Sequence, residues 1–575
     1  MKKMIAVILT AVPGLFWANS LSAESLPAHA LYQAELPAAA HPDLVRRVEI
    51  ATEPHAGSAD LCWYRLTCTQ VNGSSFTLWL LADADPFDRA HKKTVTIHRY
   101  ILAEAGQKPL EYVDERNGGA LLPLFNFVDE LLPCGSKAGE GGLFAEGTFL
   151  GFPLHKEKDL PAMEAAVPEI VDKLVLNPDM MVGTGRNFRD DRTGRRSDGS
   201  DYNYVPFSKE DYDEMIAAGI NYFLASPDQI EYIYRREIFY DCQRSEKTPP
   251  VYPQELFRGN FRGTVMFVDE PAYHLTNALP KSSTLPEAVA LLHKLVVEKY
   301  DSNHRYYGRF SYRQQLLDAG IQVGSLKLAE PDIPIWETHI STTYYQFEML
   351  PTGIFQECRW SLDTLDKINA AFGLTIPREE RNLFLWDYAL MRGPARVFNC
   401  RWGMSIYGQA APEFSLDSMK LAYDMGASYF LFWTSDKLHH LPYDEQLQLA
   451  RGLRDYASSH PRPPLAQLLH AATTAIVLPY GYTLDVEGLF HSGVFGLDKK
   501  NALGISYRDV LHLASREAEH CLRNKIAFDV VVAGKEFDPS DYGEVVWIKE
   551  DATVRIAENR DLSPLRYVEK KAPSP

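Results

Sequence analysis

Cysteine is scarce in this chain: seven in 575 residues, Cys62, Cys68, Cys134, Cys242, Cys358, Cys400 and Cys521. So sparse and odd a set is no disulfide framework. Cys62 and Cys68 stand in neighbouring strand-like text, and one bridge between them is an expectation. No C-x-x-C pair and no histidine-rich spacing occurs, which argues against a structural zinc. Positive charge is also short. The chain has 59 Lys and Arg against 76 Asp and Glu, a formal charge of −17. Phosphate recognition needs a basic face, so no nucleic acid is expected as a partner. A neutral ligand meets no such obstacle. Internal repeats are absent, and so are long apolar runs beyond the first two dozen residues.

Those first residues, "MKKMIAVILTAVPGLFWANSLSAES", have a positive start at Lys2 and Lys3, an apolar stretch from Met4 to Trp17, and small polar residues from Ala18 to Ala23. This is the pattern of a secretory signal peptide, with cleavage expected after about Ala23. The apolar stretch is short of the roughly 20 residues that span a bilayer. No lipobox cysteine follows. The expected mature protein is exported, periplasmic or secreted, with no stable membrane anchor.

What is present is an ordinary globular composition, 46% hydrophobic and 12% aromatic, long enough for two or three domains. Residues 24–138 read as β: "DLVRRVEIAT", "ADLCWYRLTCTQV", "SSFTLWLLAD" and "KTVTIHRYIL" are short runs rich in Val, Thr and aromatics, punctuated by turns such as Asn72-Gly73. A β-sandwich is expected there. Residues 139–464 alternate apolar strands with helical stretches, the signature of a parallel sheet or barrel. The strands expected are "EGTFLGFPL", "DMMVGTG", "NYFLAS", "VMFVDEPAYH", "IPIWETHIS" in preference to "IQVGSL", "TGIFQE", "ARVFNCRWG" and "SYFLFWTSD". Helices are expected at "DLPAMEAAVPEIVDKLVL", "PDQIEYIYRREIF" and "EERNLFLWDYALMRG", among others. Eight strands make a (β/α)8 TIM barrel. After the Pro-rich linker "HPRPP", residues 465–575 read as a small α/β domain. The fold class is therefore multidomain α/β.

A barrel takes its catalytic groups from the C-terminal ends of its strands. Strand four ends in Asp269-Glu270-Pro271, with Tyr273 and His274 beyond. The fifth offers Trp336, Glu337 and His339, and the sixth Gln356 and Glu357, then Arg359 and Trp360. Strand seven offers Arg401 and Trp402; strand eight offers Trp433, Asp436 and His439. Carboxylates interleaved with tryptophans suit a sugar. Aromatic faces stack on its C–H side, while polar groups bond its hydroxyls. Glycoside hydrolysis needs two carboxyls, one protonated and one ionised. The charged segment after strand two, "RNFRDDRTGRRSDGSDYN", is read as a solvated loop, or as a lid with Arg186, Arg189 or Arg192 toward an anionic substrate. No metal site and no cofactor is expected; "SDGSD" lacks the full twelve-residue calcium pattern.

On "VMFVDEPAYH" and "YFLFWTSD" the chain resembles the clan A glycoside hydrolases. That clan keeps its acid/base Glu at the end of strand four, commonly in Asn-Glu-Pro, where this sequence has Asp269-Glu270-Pro271. The resemblance implies Glu270 as acid/base and Asp269 as a substrate contact. The clan's nucleophile is a Glu ending strand seven, and "ARVFNCRWG" has none. Glu357 is the first candidate for that role and Glu337 the second, with Glu413 and Asp436 behind them. The tail is similar to the amidotransferase-like domain of family 42 β-galactosidases. That domain mediates trimers there, so a homo-oligomer is an expectation by analogy. The expected activity is hydrolysis of a polysaccharide or oligosaccharide, with retention; the alternative is an inactive glycan-binding protein on the same scaffold.

Overall fold

The computed structural model describes residues 29–36, 45–85, 97–114, 148–149, 152–159, 167–169, 172–176, 179–184, 186–196, 201–225, 238–242, 284–306, 336–338, 341–349, 353–434, 439–484, 497–558 and 566–570, with isolated positions between 229 and 279. The signal-like residues 1–23 lie outside them. Among the described residues no helix is long and apolar enough to cross a membrane.

The first nine strands are β1 (Ala30–Glu35), β2 (Val45–Pro54), β3 (Cys62–Gln70), β4 (Ser75–Ala82), β5 (Ile97–Glu104), β6 (Leu110–Asp114), β7 (Thr148–Phe149), β8 (Phe152–Asp159) and β9 (Asp172–Leu176). They form one continuous sheet, β7-β8-β1-β2-β3-β4-β5-β6-β9. Its pairs are antiparallel except β6 with β9. A single sheet thus stands where two facing sheets were expected. Both its faces bury side chains: Tyr64, Leu66 and Leu78 on one, Trp63, Trp79, Leu81 and Ile101 on the other.

Three expectations are corrected here. "EGTFLGFPL" supplies β7 and β8 of this sheet, not a parallel strand. "DKLVL", read as a helix end, is β9. Cys62 and Cys68 are both free, and both lie on β3. Six residues of extended strand separate them by about 20 Å, far beyond disulfide reach.

The second sheet contains β10 (Met181–Thr184), β13 (Tyr222–Ala225), β14 (Phe239–Cys242), β15 (Trp336–Thr338), β16 (Ile354–Cys358), β17 (Trp402–Ile406) and β18 (Tyr429–Phe432). Between its first two strands lies a small ribbon, β11 (Phe188–Asp190) with β12 (Tyr204–Pro206). The helices are α1 (Lys209–Ala218), α2 (Leu285–Tyr306), α3 (Thr343–Met349), α4 (Leu362–Phe372), α5 (Glu380–Phe398), α6 (Pro412–Asp424) and α7 (Tyr443–Ser459). Local chemistry sets their ends. Ser208 and Asp211 form a capping box at the start of α1, and Gly219 closes it in the left-handed region, an N-cap worth about 1 kcal/mol.

The sheet order is β14-β13-β10-β18-β17-β16-β15, all parallel. From β10 to β14 and from β15 to β18 each strand is followed in sequence by its neighbour on the same side, and β18, the last, pairs with β10, the first. The two edges, β14 and β15, flank in sequence the segment containing "VMFVDEPAYH", which lies outside the described residues. The seven described strands are one short of a (β/α)8 ring. Strand "FYDC" begins at Phe239, the last residue of "PDQIEYIYRREIF", most of which lies outside the described residues.

Strand seven also moves. It is "WGMSI", because α5 continues through Gly393 and Pro394 to Phe398. A proline in a helix interior normally breaks it, which is why "ARVFNCRWG" reads as a strand. Here tertiary contact holds the helix. A Cβ on Gly393 would lie 2.6 Å from the Val530 carbonyl oxygen. The helix therefore rests directly on the backbone of the next unit.

That unit holds α8 (Leu465–Leu469), β19 (Thr474–Leu478), α9 (Tyr507–Arg523), β20 (Phe528–Val532), β21 (Glu544–Ile548), β22 (Val554–Glu558) and β23 (Arg566–Lys570). Its sheet is β20-β19-β21-β22-β23, parallel in the first three and antiparallel beyond. This is the small α/β unit expected. Asp529 of β20 is fully buried and ion-pairs Arg392 at 2.7 Å and Arg396 at 3.7 Å, both on α5. Tyr542 donates a further hydrogen bond to it at 3.0 Å. One apolar cluster contains residues of all three sheets.

Candidate functional site

Parallel pairing aligns the strand ends. Thr184 of β10 stands opposite Phe432 of β18, Phe432 opposite Ile406 of β17, and Ile406 opposite Cys358 of β16. The residues just past those ends meet in a stack. The Arg186 guanidinium lies 4.8 Å from the Trp433 ring centre. Trp433 stacks on Tyr407 at 5.2 Å with 12° between planes. The Arg359 guanidinium lies 4.5 Å from the Tyr407 ring. These separations match the roughly 4.8 Å between neighbouring strands, so the sheet itself sets the repeat of the column. Each aromatic ring has one face on the other ring, which leaves its second face to an arginine.

His439 joins at the Arg359 end. Its Nε2 is 3.4 Å from Arg359 Nη1, and its ring meets Tyr407 edge-on. Arginine only donates hydrogen bonds, so this contact has the His439 Nε2 accepting. The next residue anchors the turn. His440 is fully buried, its Nε2 2.9 Å from Asp190 Oδ2. Asp190 also accepts from the backbone N–H groups of Tyr443 and Arg192. Burial raises the Asp190 carboxyl pKa, but the bonds from His440, Tyr443 and Arg192 outweigh it and hold the group below the usual carboxylate range. The dyad thus ties the chain after β11 to the start of α7.

Glu357 stands on β16 in register with Ser405, which in turn faces Leu431. The residues flanking it point at α5. Gln356 donates to Asp387 Oδ1 at 2.6 Å, and the Cys358 thiol is 3.9 Å from Oδ2. Burial pushes the Asp387 carboxyl up to about 7, against the hydrogen bonds from Gln356, Trp360 and Cys358. This strand is pinned from behind on both sides of Glu357.

Of the residues expected at the site, the structure brings Arg186, Trp433 and His439 together. Trp360 follows β16 but is buried against Asp387. Glu337 stands opposite Phe355, two residues short of the level of Glu357. Trp336 begins β15, and Trp402 begins β17 with Arg401 before it. These three lie at the opposite ends of the strands, with Arg401 paired to Asp179 at 2.9 Å and Trp402 packed on Tyr388. Asp269, Glu270, Tyr273, His274, His339 and Asp436 lie outside the described residues. Sequence reasoning names Arg359 at the end of the sixth strand without joining it to Trp433, and passes over Tyr407. The signal was available: each immediately follows the last residue of its strand.

Three other arginines of the loop after β10 are engaged by acids. Arg189 pairs with Asp211 at 2.7 Å, Arg192 with Glu214, and Arg196 with Glu445. Among the described residues no group of three or more His, Cys, Asp or Glu is placed to hold a metal ion. Comparison with protein-family models, curated proteins and solved structures returns no match. The reading of this rim therefore rests on the chemistry of its own residues.

Proposed function

We propose that this chain is a glycoside hydrolase working at the C-terminal rim of a closed (β/α)8 barrel. The strand order supports closure. Right-handed crossovers that all step the same way put every connecting helix on one face. The other face carries Met181, Tyr222, Phe239, Tyr429 and Leu431, all buried in a cluster made of strand residues alone. A closed ring buries such a face in its own interior. Gly403 leaves room there: a Cβ on it would lie 2.4 Å from Tyr429 Cβ.

The observation that carries the functional reading is the rim column, Arg186–Trp433–Tyr407–Arg359, over the ends of four adjacent strands. It gathers aromatic and polar groups at the place where barrels do chemistry. Glu357, two residues before Arg359 of that column, is the nucleophile. Glu270 protonates the glycosidic oxygen. It then deprotonates the water that releases the glycosyl-enzyme.

The test is turnover of a glycan panel by the wild type, Glu270→Gln and Glu357→Gln. Losses on the order of 10²–10⁴-fold are expected from each variant. Wild-type rates in Glu270→Gln would remove it from the mechanism. A second reading, glycan binding without hydrolysis, is favoured by one feature: β17 and the residue after it, "WGMSIY", contain no Glu. Binding in all three proteins with turnover in none would establish it.

A further inference from the structure

The rim column is built differently from a sugar-stacking platform. Trp433 and Tyr407 cover each other, and guanidinium groups cover their outer faces. Neither ring offers a free face to a pyranose. What the column offers a ligand is cationic. Arg186 is only half-buried, and its described contacts are the Trp433 ring and the Thr434 carbonyl, 3.1 Å from Nε. Among the described residues no carboxylate lies within ion-pair reach of it. Three other arginines of the same loop, Arg189, Arg192 and Arg196, each have an acidic partner. With no carboxylate partner among the described residues, this half-buried guanidinium at a strand-end rim keeps N–H donors that an anion from outside can take. Its remaining N–H donors suit the planar oxygen pair of a carboxylate or the oxygens of a sulfate ester.

We propose that Arg186 is an anion subsite and that the substrate is an acidic glycan, carrying uronate carboxylates or sulfate esters. This deepens the hydrolase reading and rests on it. Arg186 pairs with the acidic group of one sugar unit. Trp433 holds the guanidinium in place from one side, and the Thr434 carbonyl fixes its rotation.

The experiment measures binding by calorimetry, and turnover by reducing-end release, on the full chain. The probes are three sets of oligosaccharides: neutral, uronate-containing and sulfated. Wild type is compared with Arg186→Gln, Arg186→Lys and Arg508→Gln. The last removes the same charge from an exposed site on the C-terminal unit, where Arg508 pairs with Asp498. The expected result is preference for one acidic set, lost at least tenfold in Arg186→Gln and partly restored in Arg186→Lys. Arg508→Gln should behave as wild type, and neutral probes should bind weakly and equally to all four proteins. Which acidic set is preferred separates carboxylate from sulfate. Preference for neutral sugars, or an Arg186→Gln variant that keeps full affinity for the acidic ones, overturns the anion subsite and leaves the hydrolase standing. If no set is bound or cleaved, both readings fall. Far-ultraviolet circular dichroism and the melting temperature of each variant keep a folding defect apart from a lost contact.

Discussion

Asp387 and Asp190 are both buried carboxyls, and their pH dependences run in opposite directions. Asp387 is raised to about 7 by burial. Between its unfolded value near 4 and its folded value the native state holds a proton that the unfolded chain has released. Stability from this group therefore falls as pH rises from about 4 to 7, then levels off. Asparagine copies the protonated acid without the charge. Asp387→Asn should be more stable than wild type at pH 8 by on the order of 2–4 kcal/mol, with little difference at pH 4. Urea unfolding at the two values checks it, and equal differences at both would refute it. Asp190 is lowered, so its contribution is complete above the unfolded carboxyl range and is lost as pH falls through its folded value. Asp190→Asn should flatten the acid limb of the stability profile. It should also loosen His439, since His440 and the Tyr443 N–H lose an ionised acceptor. Thermal melts between pH 3 and 6 measure the first effect.

At the level of elements, α5 departs most from local rules. Its sequence contains Gly393-Pro394, which on propensity alone ends a helix. The close seat on β20 decides otherwise, because no side chain fits between the helix and the Val530 carbonyl. Gly393→Ala raises helix propensity by about 1 kcal/mol, yet should lower stability by about 2 kcal/mol through overpacking. Chemical denaturation gives the sign; a stabilised variant would show that the contact can relax. Where elements follow local chemistry, sequence was enough. Ser208, Ser361 and Gly373 mark the ends of α1 and α4, as their residue types predict. Strands β16 and β18 stand where their apolar runs predict. The sequence failed for "DKLVL", a run too short to carry a period, whose strand state comes from β6 as its pairing partner.

In the whole molecule, the shared apolar cluster and the Asp529 ion pairs join the parallel-sheet unit to the C-terminal unit. Removing the carboxylate leaves two buried guanidiniums without their partner, a cost of about 3–5 kcal/mol. Asp529→Asn should therefore lower the melting temperature of the full chain, and proteolysis should begin at the 460–464 linker. Unfolding of the wild type should be a single calorimetric transition across these two units. Two well-separated transitions would mean that the joint carries little energy.

By itself the sequence determined the class of each unit, most helix positions, and the idea that strand ends hold the chemistry. These follow from periodicity, caps and composition, which are local. It also picked out Arg186, Trp433 and His439 singly. Only the tertiary structure decided that they meet, and with whom. In-register pairing of four parallel strands brings Tyr407 and Arg359 into the same column from positions far apart in the chain. That pairing turns Trp433 from an expected sugar platform into a ring covered on both faces. It also sends Arg401 and Trp402 to the far end of the sheet, because the helix before them runs past a proline held in place by another unit. Contacts of this range depend on which strands become neighbours, and no window of sequence carries that information.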